Sequence, residues 1–594
     1  MPVDDGWPPI GDHAVIGDGR TVALVARDGA VNWLCLPDLD SPSVFAALLD
    51  RRRGGRFVVA PDVPYEVHRR YLPGTNVLES TYHTRDGTAR VTEALTLPTG
   101  LAPQRELVRR VEGLGGSVPF VWSVEPRFGY GGHRTRIERR MGIPVATGRG
   151  IAISVCAWDA GEPRTADGTI SGSFTTRDGA SSLVVMAAAD GQPLVLPSRK
   201  DSEQRLDATT AFWEEWANDR TYDGPWKQHV IRSVLILKLL VFSPSGALAA
   251  APTTSLPEHI GGDRNYDYRF VWLRDAAFTV GALLQTGCSP EADSFFWWLT
   301  HATRLTHPRL DVLYRLDGRP GPKEEELPLE GYRGSSPVRI GNDAAHQLQL
   351  DTYGDLLHMA GLYVDGDRDI DRDSAKRLAE IADLTCRIWE QPESGIWEDR
   401  ERRLHFTQGK MNCAVALERA CELAERGVLP GDEQRVARWR RESTSIRRFV
   451  DTRCWSEELQ CYREAADSEE LDAAVLLGAI NRYVGDDTAR MSATIDTLRR
   501  RLGSGPFLHR TTVNRDEEGA FLACSFWLVD ALARLGRVEE AAATMDELVG
   551  YANDVGLFSE QIDPHTGSLL GNFPQALTHL ALVNAATSVA EATR

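Results

Sequence analysis

The chain has 594 residues, of which 42% are hydrophobic and 26% are charged, proportions typical of a globular protein. This length exceeds what one compact core can organise, so we expect two or more domains. The 85 acidic and 67 basic residues give a net charge of −18, which repels phosphate backbones and argues against a nucleic-acid partner.

The chain begins with "MPVDDGWPPIGDHAVIGDGR", which lacks the basic region and the apolar stretch of a secretory signal. The longest apolar run, at 233–242, is interrupted by Lys238 and is too short to span a bilayer. The nine cysteines are scattered, without a C-x-x-C pair or a zinc-type Cys/His cluster. We therefore expect a cytoplasmic protein with reduced thiols, no membrane partner and no metal.

Residues 1–202 are predicted to form an antiparallel β-sandwich. The stretch "TNVLESTYHTRDGTARVTEALTL" at 75–97 contains two strand-like runs around Asp86-Gly87, a favoured pair for a tight turn. The pairs Asp28-Gly29, Asp167-Gly168 and Asp178-Gly179 repeat this turn signal in the same part of the chain. No long helical period interrupts these β-rich segments, which favours an antiparallel sandwich.

Residues 203–225 are predicted to link this domain to a helical one, with a connecting helix near 203–219. From residue 226 onward, apolar residues recur at helical spacing between Gly or Pro breaks. The predicted helices lie near 226–242, 273–286, 289–305, 343–361, 371–390, 409–426, 431–451, 470–482, 487–502, 518–535, 537–552 and 574–592.

Twelve helices in sequence allow six antiparallel pairs, which predicts a closed (α/α)6 barrel over 226–594. A linear solenoid is the alternative, but the sequence shows no repeat of fixed period. Long connections alternate with short ones, so one end of the barrel is expected to carry a site. The long connections lie near 243–272, 306–342, 391–408, 452–469 and 503–517.

The long connections share a composition of aromatic and charged residues, as in "IGGDRNYDYRFVWLRDAAF" at 260–278. Aromatic faces stack on the apolar faces of a pyranose, and Asp and Arg side chains hydrogen-bond its hydroxyls. Charge networks that only join the loops to one another are the alternative. Because several such loops converge on one barrel end, we expect a sugar site there.

Two glutamates in these loops suit the hydrolysis of a glycosidic bond, which needs one carboxyl group as acid and one as base. The acid must stay protonated, so its pKa must be raised by apolar contact or a nearby negative charge. Glu398 follows Trp397, and Glu560 follows Phe558 in a separate long connection. Local context therefore makes Glu398 and Glu560 the acid and base candidates.

Several of these stretches resemble glycoside hydrolase family 15, which contains glucoamylases, glucodextranases and family-15 trehalases. The opening "IGDGRTVALVARDGAVNWLCLPDLDSPSVFAALLD" is similar to the N-terminal β-domain of the bacterial trehalase-like branch. Six further motifs follow that branch in order: "RNYDYRFVWLRDAAFT", "GYRGSSPVRIGN", "QLQLDTYGDLL", "GIWEDRERRLHFTQGKMNCAVALERA", "EEGAFLACSFWLVDAL" and "GLFSEQIDPHTGSLLGNFPQALTH". The resemblance covers nearly the whole chain and implies a β-sandwich joined by a linker to an (α/α)6 barrel.

The resemblance also implies roles for individual residues. The family's general acid is the glutamate after tryptophan, which matches Glu398 beside Trp397, and its general base in the "SEQ" stretch matches Glu560. The implied sugar-binding residues are Arg274 and Asp275 at the terminal glucose, Arg510, the pocket walls Trp272 and Tyr268, and Lys410 toward the second sugar. This chain has Tyr266 and Phe270-Val271 where the branch often shows Trp and Tyr-Cys, a difference that bears on the pocket rim.

These observations predict an inverting exo-acting α-glucoside hydrolase that releases β-glucose. Trehalose is the favoured substrate, and an α-1,4- or α-1,6-glucooligosaccharide is the alternative. A sugar phosphorylase would need no carboxylate base, so Glu560 argues against it, and a non-catalytic sugar-binding protein would not need both glutamates. The sequence shows no phosphate loop, dinucleotide fingerprint or metal-ligand cluster, so no cofactor is expected.

Overall fold

The computed structural model describes residues 6–98, 105–485, 487–515 and 517–594. The first five residues of the opening stretch, and Asp516 in the predicted loop 503–517, lie outside the described residues. An antiparallel β domain comes first and a helical domain follows, which confirms the predicted fold class.

The N-terminal domain is built from antiparallel strands. They are β1 (His13–Gly17), β2 (Val22–Ala26), β3 (Ala30–Cys35), β4 (Ser43–Phe45), β5 (Phe57–Pro61), β6 (Tyr65–Tyr71), β7 (Leu78–Thr84), β8 (Gly87–Leu95), β9 (Arg105–Val124), β10 (Arg136–Arg140), β11 (Ile143–Gly148), β12 (Ile151–Trp158), β13 (Arg164–Ala166), β14 (Thr169–Arg177) and β15 (Ser181–Asp190). The hairpin predicted at 75–97 is confirmed as β7 paired with β8.

Strand β9 belongs to two layers of this domain. Its first half pairs with β8 and β15, and its second half pairs with β5 and β14. Tyr82 of β7 contacts the ring of Phe120 across the layers, with centroids 6.1 Å apart. Buried Arg109 in the first half of β9 donates to the carbonyls of Phe57 and Gly29 in the other layer. The two groups of strands therefore face each other, as a sandwich requires.

Helix α1 (Arg199–Asn218) leads out of the β domain. It begins before the predicted start at 203 because the side chain of Ser198 accepts a hydrogen bond from the backbone N–H of Asp201, which caps the helix. The division of the chain into 1–202, 203–225 and 226–594 stays a prediction.

Twelve helices follow α1 in the described part of the chain, and each overlaps one predicted segment. They are α2 (Lys227–Leu240), α3 (Ala276–Gln285), α4 (Ser289–Ala302), α5 (Asp351–Asp365), α6 (Arg372–Ile388), α7 (Thr407–Glu425), α8 (Glu433–Phe449), α9 (Leu477–Ile480), α10 (Ala489–Leu502), α11 (Leu522–Arg534), α12 (Val538–Val549) and α13 (Ala576–Thr593). Between them lie short strands: β16 (Val241–Phe242), β17 (Ala247–Leu248), β18 (Val271–Trp272), β19 (Leu313–Tyr314), β20 (Glu325–Leu327), β21 (Val338–Ile340), β22 (Trp455–Ser456), β23 (Cys461–Tyr462), β24 (Gly503–Ser504), β25 (Phe507–Leu508), β26 (Ala520–Phe521), β27 (Gln561–Ile562) and β28 (Leu569–Leu570).

Alternate helices form a closed inner ring. Helices α3, α5, α7, α9, α11 and α13 each contact the next one, and α13 contacts α3. These inner helices are apolar around most of their circumference: α11 is buried from Leu522 through Ala533, as expected for a helix packed on every side. A closed ring excludes the linear solenoid and gives the predicted (α/α)6 barrel.

The connections differ sharply between the two ends of the barrel. Those that enter an inner helix are long, and those that leave one are short. The long ones are 241–275, 303–350, 389–406, 450–476, 503–521 and 550–575. The short ones are 286–288, 366–371, 426–432, 481–488 and 535–537. One end of the barrel, at the N-termini of the inner helices, therefore carries all the elaborated loops.

The β domain packs against this elaborated end. The indole of Trp33 in β3 donates to the carbonyl of Pro252 at 2.8 Å, and Arg269 donates to the carbonyl of Ser41 at 2.9 Å. The stretch that contains Trp33 and Ser41 thus supports the loop that enters α3. None of the helices in the described ranges has the length and apolar character needed to cross a bilayer.

Candidate active site

All of the predicted site residues except Lys410 come from four different loops and meet at the elaborated end of the barrel. Arg274 and Asp275 immediately precede α3, and Glu398 lies in the connection that enters α7. Arg510 lies in the connection that enters α11, and Glu560 in the one that enters α13. Each connection ends at the N-terminus of an inner helix, so the barrel geometry gathers side chains that are far apart in sequence.

A pocket at this end of the barrel opens to the solvent. It is lined by Glu258, Tyr266, Tyr268, Arg274, Ile396, Trp397, Glu398, Arg400, Arg510, Phe521 and Gln575. Three more predicted residues bond directly to this lining: Trp272 to Glu398, Asp275 to Arg274, and Glu560 to Tyr268.

Glu398 occupies a strained turn at the pocket wall. Its φ is +62°, and its N–H donates to the carbonyl of Gly395 at 3.1 Å; a left-handed glutamate is uncommon and often marks a functional site. Its Oε1 accepts the indole N–H of Trp272 at 2.5 Å and lies 3.6 Å from Nη1 of Arg274. Burial raises the pKa of this carboxyl, while Arg274 and the Trp272 hydrogen bond oppose the rise.

Glu560 is only 1% exposed and is held at both carboxyl oxygens. Its Oε1 accepts from the hydroxyl of Tyr268 at 2.5 Å, and its Oε2 accepts from the backbone N–H of Asn572 at 3.2 Å. Burial raises the pKa of Glu560, and the hydrogen bond from Tyr268 is the largest opposing effect, followed by the charge of Arg510. Gly571 makes room for this carboxyl, because a Cβ there would lie 2.4 Å from Oε2.

The two carboxyl groups belong to one site. Trp272, which bonds Glu398, and Tyr268, which bonds Glu560, have ring centroids 5.2 Å apart. The pKa of Tyr268 is raised well above its usual value by burial first, and then by the charges of Glu560, Glu258 and Glu398. Glu398 and Glu560, which lie in separate loops, therefore both raise the pKa of the Tyr268 hydroxyl.

Arg274 is fixed at the inner end of the pocket. Its Nε donates to Asp275 at 3.1 Å and its Nη1 donates to the carbonyl of Ile396 at 2.7 Å. Asp351, the first residue of α5, is near enough to Arg274 for its charge to lower the pKa of the Asp351 carboxyl, but burial raises this pKa to about 6. Asp351 lies in the quoted stretch "QLQLDTYGDLL", but sequence analysis did not assign it to the site, because the stretch resembles an ordinary helix start.

Arg510 is clamped between two buried carboxyl groups in the pocket wall. Its Nε donates to Glu518 at 2.9 Å and its Nη2 donates to Glu258 at 2.5 Å. Its guanidinium also lies over the ring of Trp397, 5.4 Å from the centroid. Burial raises the pKa of Glu258 to about 8, with the charge of Arg510 opposing and that of Glu560 adding to the rise.

Glu258 lines the pocket but was missed by sequence analysis. It lies in a long predicted connection, next to Pro257, and it precedes the aromatic run at 260–278. Its position inside the long connection 241–275 was the one sequence feature that could have indicated a place in the site.

Trp397 was predicted as a site residue, and its indole donates to Asp472 at 2.9 Å, which fixes the ring. Burial raises the pKa of Asp472 to about 7.

The expectation that Lys410 points toward a second sugar does not fit the structure. Its Nζ is buried beneath α7 and donates to the carbonyls of Trp389 and Gln391 at 2.6 and 2.8 Å. These carbonyls directly follow the end of α6, where unpaired backbone oxygens favour a cation. Lys410 therefore ties α7 to the preceding loop. In the ranges that the structure describes, no group of three or more His, Cys, Asp or Glu is placed to hold a metal ion.

Comparisons with known proteins cover both parts of the chain. The family model described as "Glycosyl hydrolases family 15" matches residues 224–587, and that described as "Trehalase-like, N-terminal" matches residues 4–211. The chain is similar to the trehalase of Mycolicibacterium smegmatis, at 35% identity over 99% of this chain and 92% of the relative. The trehalase of Mycobacterium tuberculosis is 34% identical over 100% of this chain and 91% of the relative.

A trehalase from the archaeon Thermoplasma volcanium is 30% identical over 99% of this chain and 94% of the relative. Among solved structures, a bacterial glucoamylase complexed with acarbose has a TM-score of 0.71 and 14% identity. That match covers 98% of this chain and 94% of the other, so the β domain and the barrel share one fold with it.

Proposed function

Because the chain belongs to glycosyl hydrolase family 15, and is thus a glycoside hydrolase, we propose that it hydrolyses α,α-trehalose with inversion of configuration. Trehalose enters the pocket with one glucose at the inner end, against Arg274 and Asp275. Glu398 protonates the glycosidic oxygen, and Glu560 removes a proton from the attacking water. One β-glucose and one α-glucose leave.

The observation that carries this proposal is the pairing of a partly buried carboxyl group, Glu398, with a fully buried one, Glu560, in one pocket where each has different partners. Glu398 lies beside an indole and a guanidinium, and burial raises its pKa, which favours the protonated form that an acid needs. Glu560 accepts hydrogen bonds at both oxygens, and such bonds favour the ionised form that a base needs.

The arginine at the inner end supports an exo-acting enzyme. Arg274 is 13% exposed and is already bonded to Asp275 and to the carbonyl of Ile396. A guanidinium that is held in place loses little entropy when it binds sugar hydroxyls. Because the side chains of Arg274 and Asp275 are only 13% and 8% exposed, we expect this end of the pocket to accept the end of a chain and to exclude its middle.

The choice of trehalose is supported by the relatives named trehalase, whose similarity extends over the N-terminal domain as well as the barrel. The other candidates are α-1,4- and α-1,6-glucooligosaccharides. The test is glucose release from a panel of trehalose, maltose, isomaltose, kojibiose, nigerose and soluble starch. We expect kcat/KM to be highest for trehalose. A higher value for any other member would replace trehalose as the substrate, and no glucose from any member would overturn the proposal.

A further inference from the structure

We infer that Tyr266 and Arg400 form the subsite for the leaving sugar, and that Glu324 and Arg339 hold these two side chains in place. This inference rests on the proposed function, which fixes where the leaving sugar lies. None of the four residues has a part in the proton transfers proposed above. They form a separate cluster at the mouth of the pocket.

The pocket has an inner and an outer end, and Glu398 lies between them. On the inner side, Oε1 of Glu398 lies 3.6 Å from Arg274, which is 13% exposed. On the outer side, Arg400 follows two residues later on the same loop, and its side chain is 38% exposed. Tyr266 and Arg400 both line the pocket.

An acid that protonates the glycosidic oxygen lies beside the bond between two sugars. If the inner sugar contacts Arg274, the second sugar extends past Glu398 toward the solvent. Tyr266 and Arg400 are the lining residues on that side. An aromatic ring with a phenol, next to a guanidinium, offers apolar surface and hydrogen-bond donors for a pyranose.

One carboxylate holds this wall together. Glu324 accepts two hydrogen bonds from Arg400, at 3.1 and 2.6 Å, and its Oε1 lies 3.1 Å from Nε of Arg339. The guanidinium carbons of Arg400 and Arg339 lie 4.9 and 5.4 Å from the centroid of the Tyr266 ring. Both cations therefore contact the same ring while they share the same anion.

Arg339 also fixes the backbone that carries Tyr266. Its Nη1 donates to the carbonyl of Asp263 at 2.7 Å and to that of Asn265 at 3.1 Å. Arg339 lies on β21, which pairs with β20, the strand that directly follows Glu324. Three loops thus meet at one tyrosine, and a side chain restrained in this way is suited to positioning a ligand.

The test compares two substrates that differ only in the leaving group. Trehalose has a sugar that fills the outer subsite, whereas α-glucosyl fluoride has an ion that leaves this subsite empty. We expect Tyr266→Ala and Arg400→Ala each to lower kcat/KM for trehalose at least about tenfold, the worth of one lost hydrogen bond or ring contact. Both variants should keep kcat/KM for the fluoride within about twofold.

Arg319→Ala is the control, since Arg319 lies in the loop that carries Glu324 and Arg339, is 66% exposed and pairs with Asp317. Arg319→Ala should leave kcat/KM unchanged for both substrates. Tyr266→Phe, which keeps the ring, should lose less on trehalose than Tyr266→Ala. If Tyr266→Ala does not fold, Arg400→Ala decides, because Arg400 lies at the surface.

Equal losses on trehalose and fluoride would overturn the inference, because they would place Tyr266 and Arg400 in the support of the whole pocket. No loss on trehalose would overturn it too. If the wild-type chain prefers another disaccharide, the choice of trehalose is wrong. The subsite inference is then tested by comparing that disaccharide with the fluoride in the same variants. Failure of the wild-type chain to hydrolyse any α-glucoside would overturn the proposed function and this inference with it.

Discussion

At the scale of single residues, Glu398 combines an unusual backbone with an unusual environment. Its φ of +62° directs the side chain from a tight turn, and its carboxyl meets an indole N–H and a guanidinium. Strain of this kind costs roughly 1–3 kcal/mol and persists only where surrounding contacts enforce it. Here Gln347 donates to the carbonyl of Glu398 at 3.2 Å, which helps to hold the turn.

The proposed acid is tested by Glu398→Gln, which keeps the shape of the side chain and removes its proton. We expect turnover of trehalose to fall at least about a hundredfold, since general acid catalysis contributes roughly 10²–10⁴. Turnover of α-glucosyl fluoride should fall less, because fluoride needs little protonation to leave. Steady-state rates on both substrates measure the difference. Equal losses would remove Glu398 from the acid role.

The proposed base is tested by Tyr268→Phe through the pH profile. The hydrogen bond from the Tyr268 hydroxyl lowers the pKa of Glu560, so its removal raises that pKa. A base must be ionised, so the acid limb of the kcat/KM profile should move to higher pH. Trp455→Phe serves as the control, because Trp455 does not line the pocket and its ring contacts Tyr462 and Arg490. An acid limb that stays in place or moves to lower pH would contradict the assignment of Glu560.

Sequence alone predicts the two glutamates because each follows an aromatic residue in a long loop. It does not predict Glu258, whose importance comes from Arg510, a partner 252 residues away in the chain. Lys410 shows the opposite error. The family resemblance implied that Lys410 contacts the second sugar, but its partners are backbone carbonyls, which no side-chain pattern reveals.

At the scale of elements, the loop that enters α3 depends on a buried ion pair. Arg269 donates to Asp267 at 2.8 and 2.6 Å, and both side chains are buried. Asp267 also accepts from the N–H of Gly341 at 3.1 Å. Because Tyr266 and Tyr268 flank Asp267, this pair fixes both pocket residues.

We expect Arg269→Met to lower the free energy of unfolding by about 3–5 kcal/mol, because it leaves Asp267 buried without its cation. Activity on trehalose should fall as well, since the flanking tyrosines lose their support. Urea denaturation and steady-state kinetics measure the two effects. Arg453→Met, at an exposed arginine paired with Asp467, should change neither. A stable and fully active Arg269→Met variant would contradict this account of the loop.

Helical periodicity, together with Gly or Pro breaks, predicts all twelve barrel helices, although the inner ones are apolar around most of their circumference. It overestimates the length of the ninth helix, which is predicted at 470–482 and observed at Leu477–Ile480. The Asp472 side chain accepts from the N–H of Ala474 and begins a 3-10 turn first, and Arg482 adopts a φ of +64° just beyond the helix.

At the scale of the whole molecule, the sequence pattern separates a β part from a helical part, because strand-like runs fill the first 200 or so residues and helical periods follow them. It cannot predict which surfaces meet. The bond from Trp33 to Pro252 joins positions 219 residues apart, and the bond from Arg269 to Ser41 joins positions 228 apart. Long-range contacts of this kind leave no local pattern, although they support the loop that carries the pocket.

The central claim is that this chain hydrolyses an α-glucoside by a single displacement, with Glu398 as acid and Glu560 as base. Proton NMR during the first minutes of trehalose hydrolysis reads the anomers of the two products before mutarotation mixes them. Only one of the two anomeric carbons is attacked, so inversion gives one β-glucose and one α-glucose from each trehalose. A double displacement, with Glu560 as nucleophile, would give α-glucose alone and would contradict the claim.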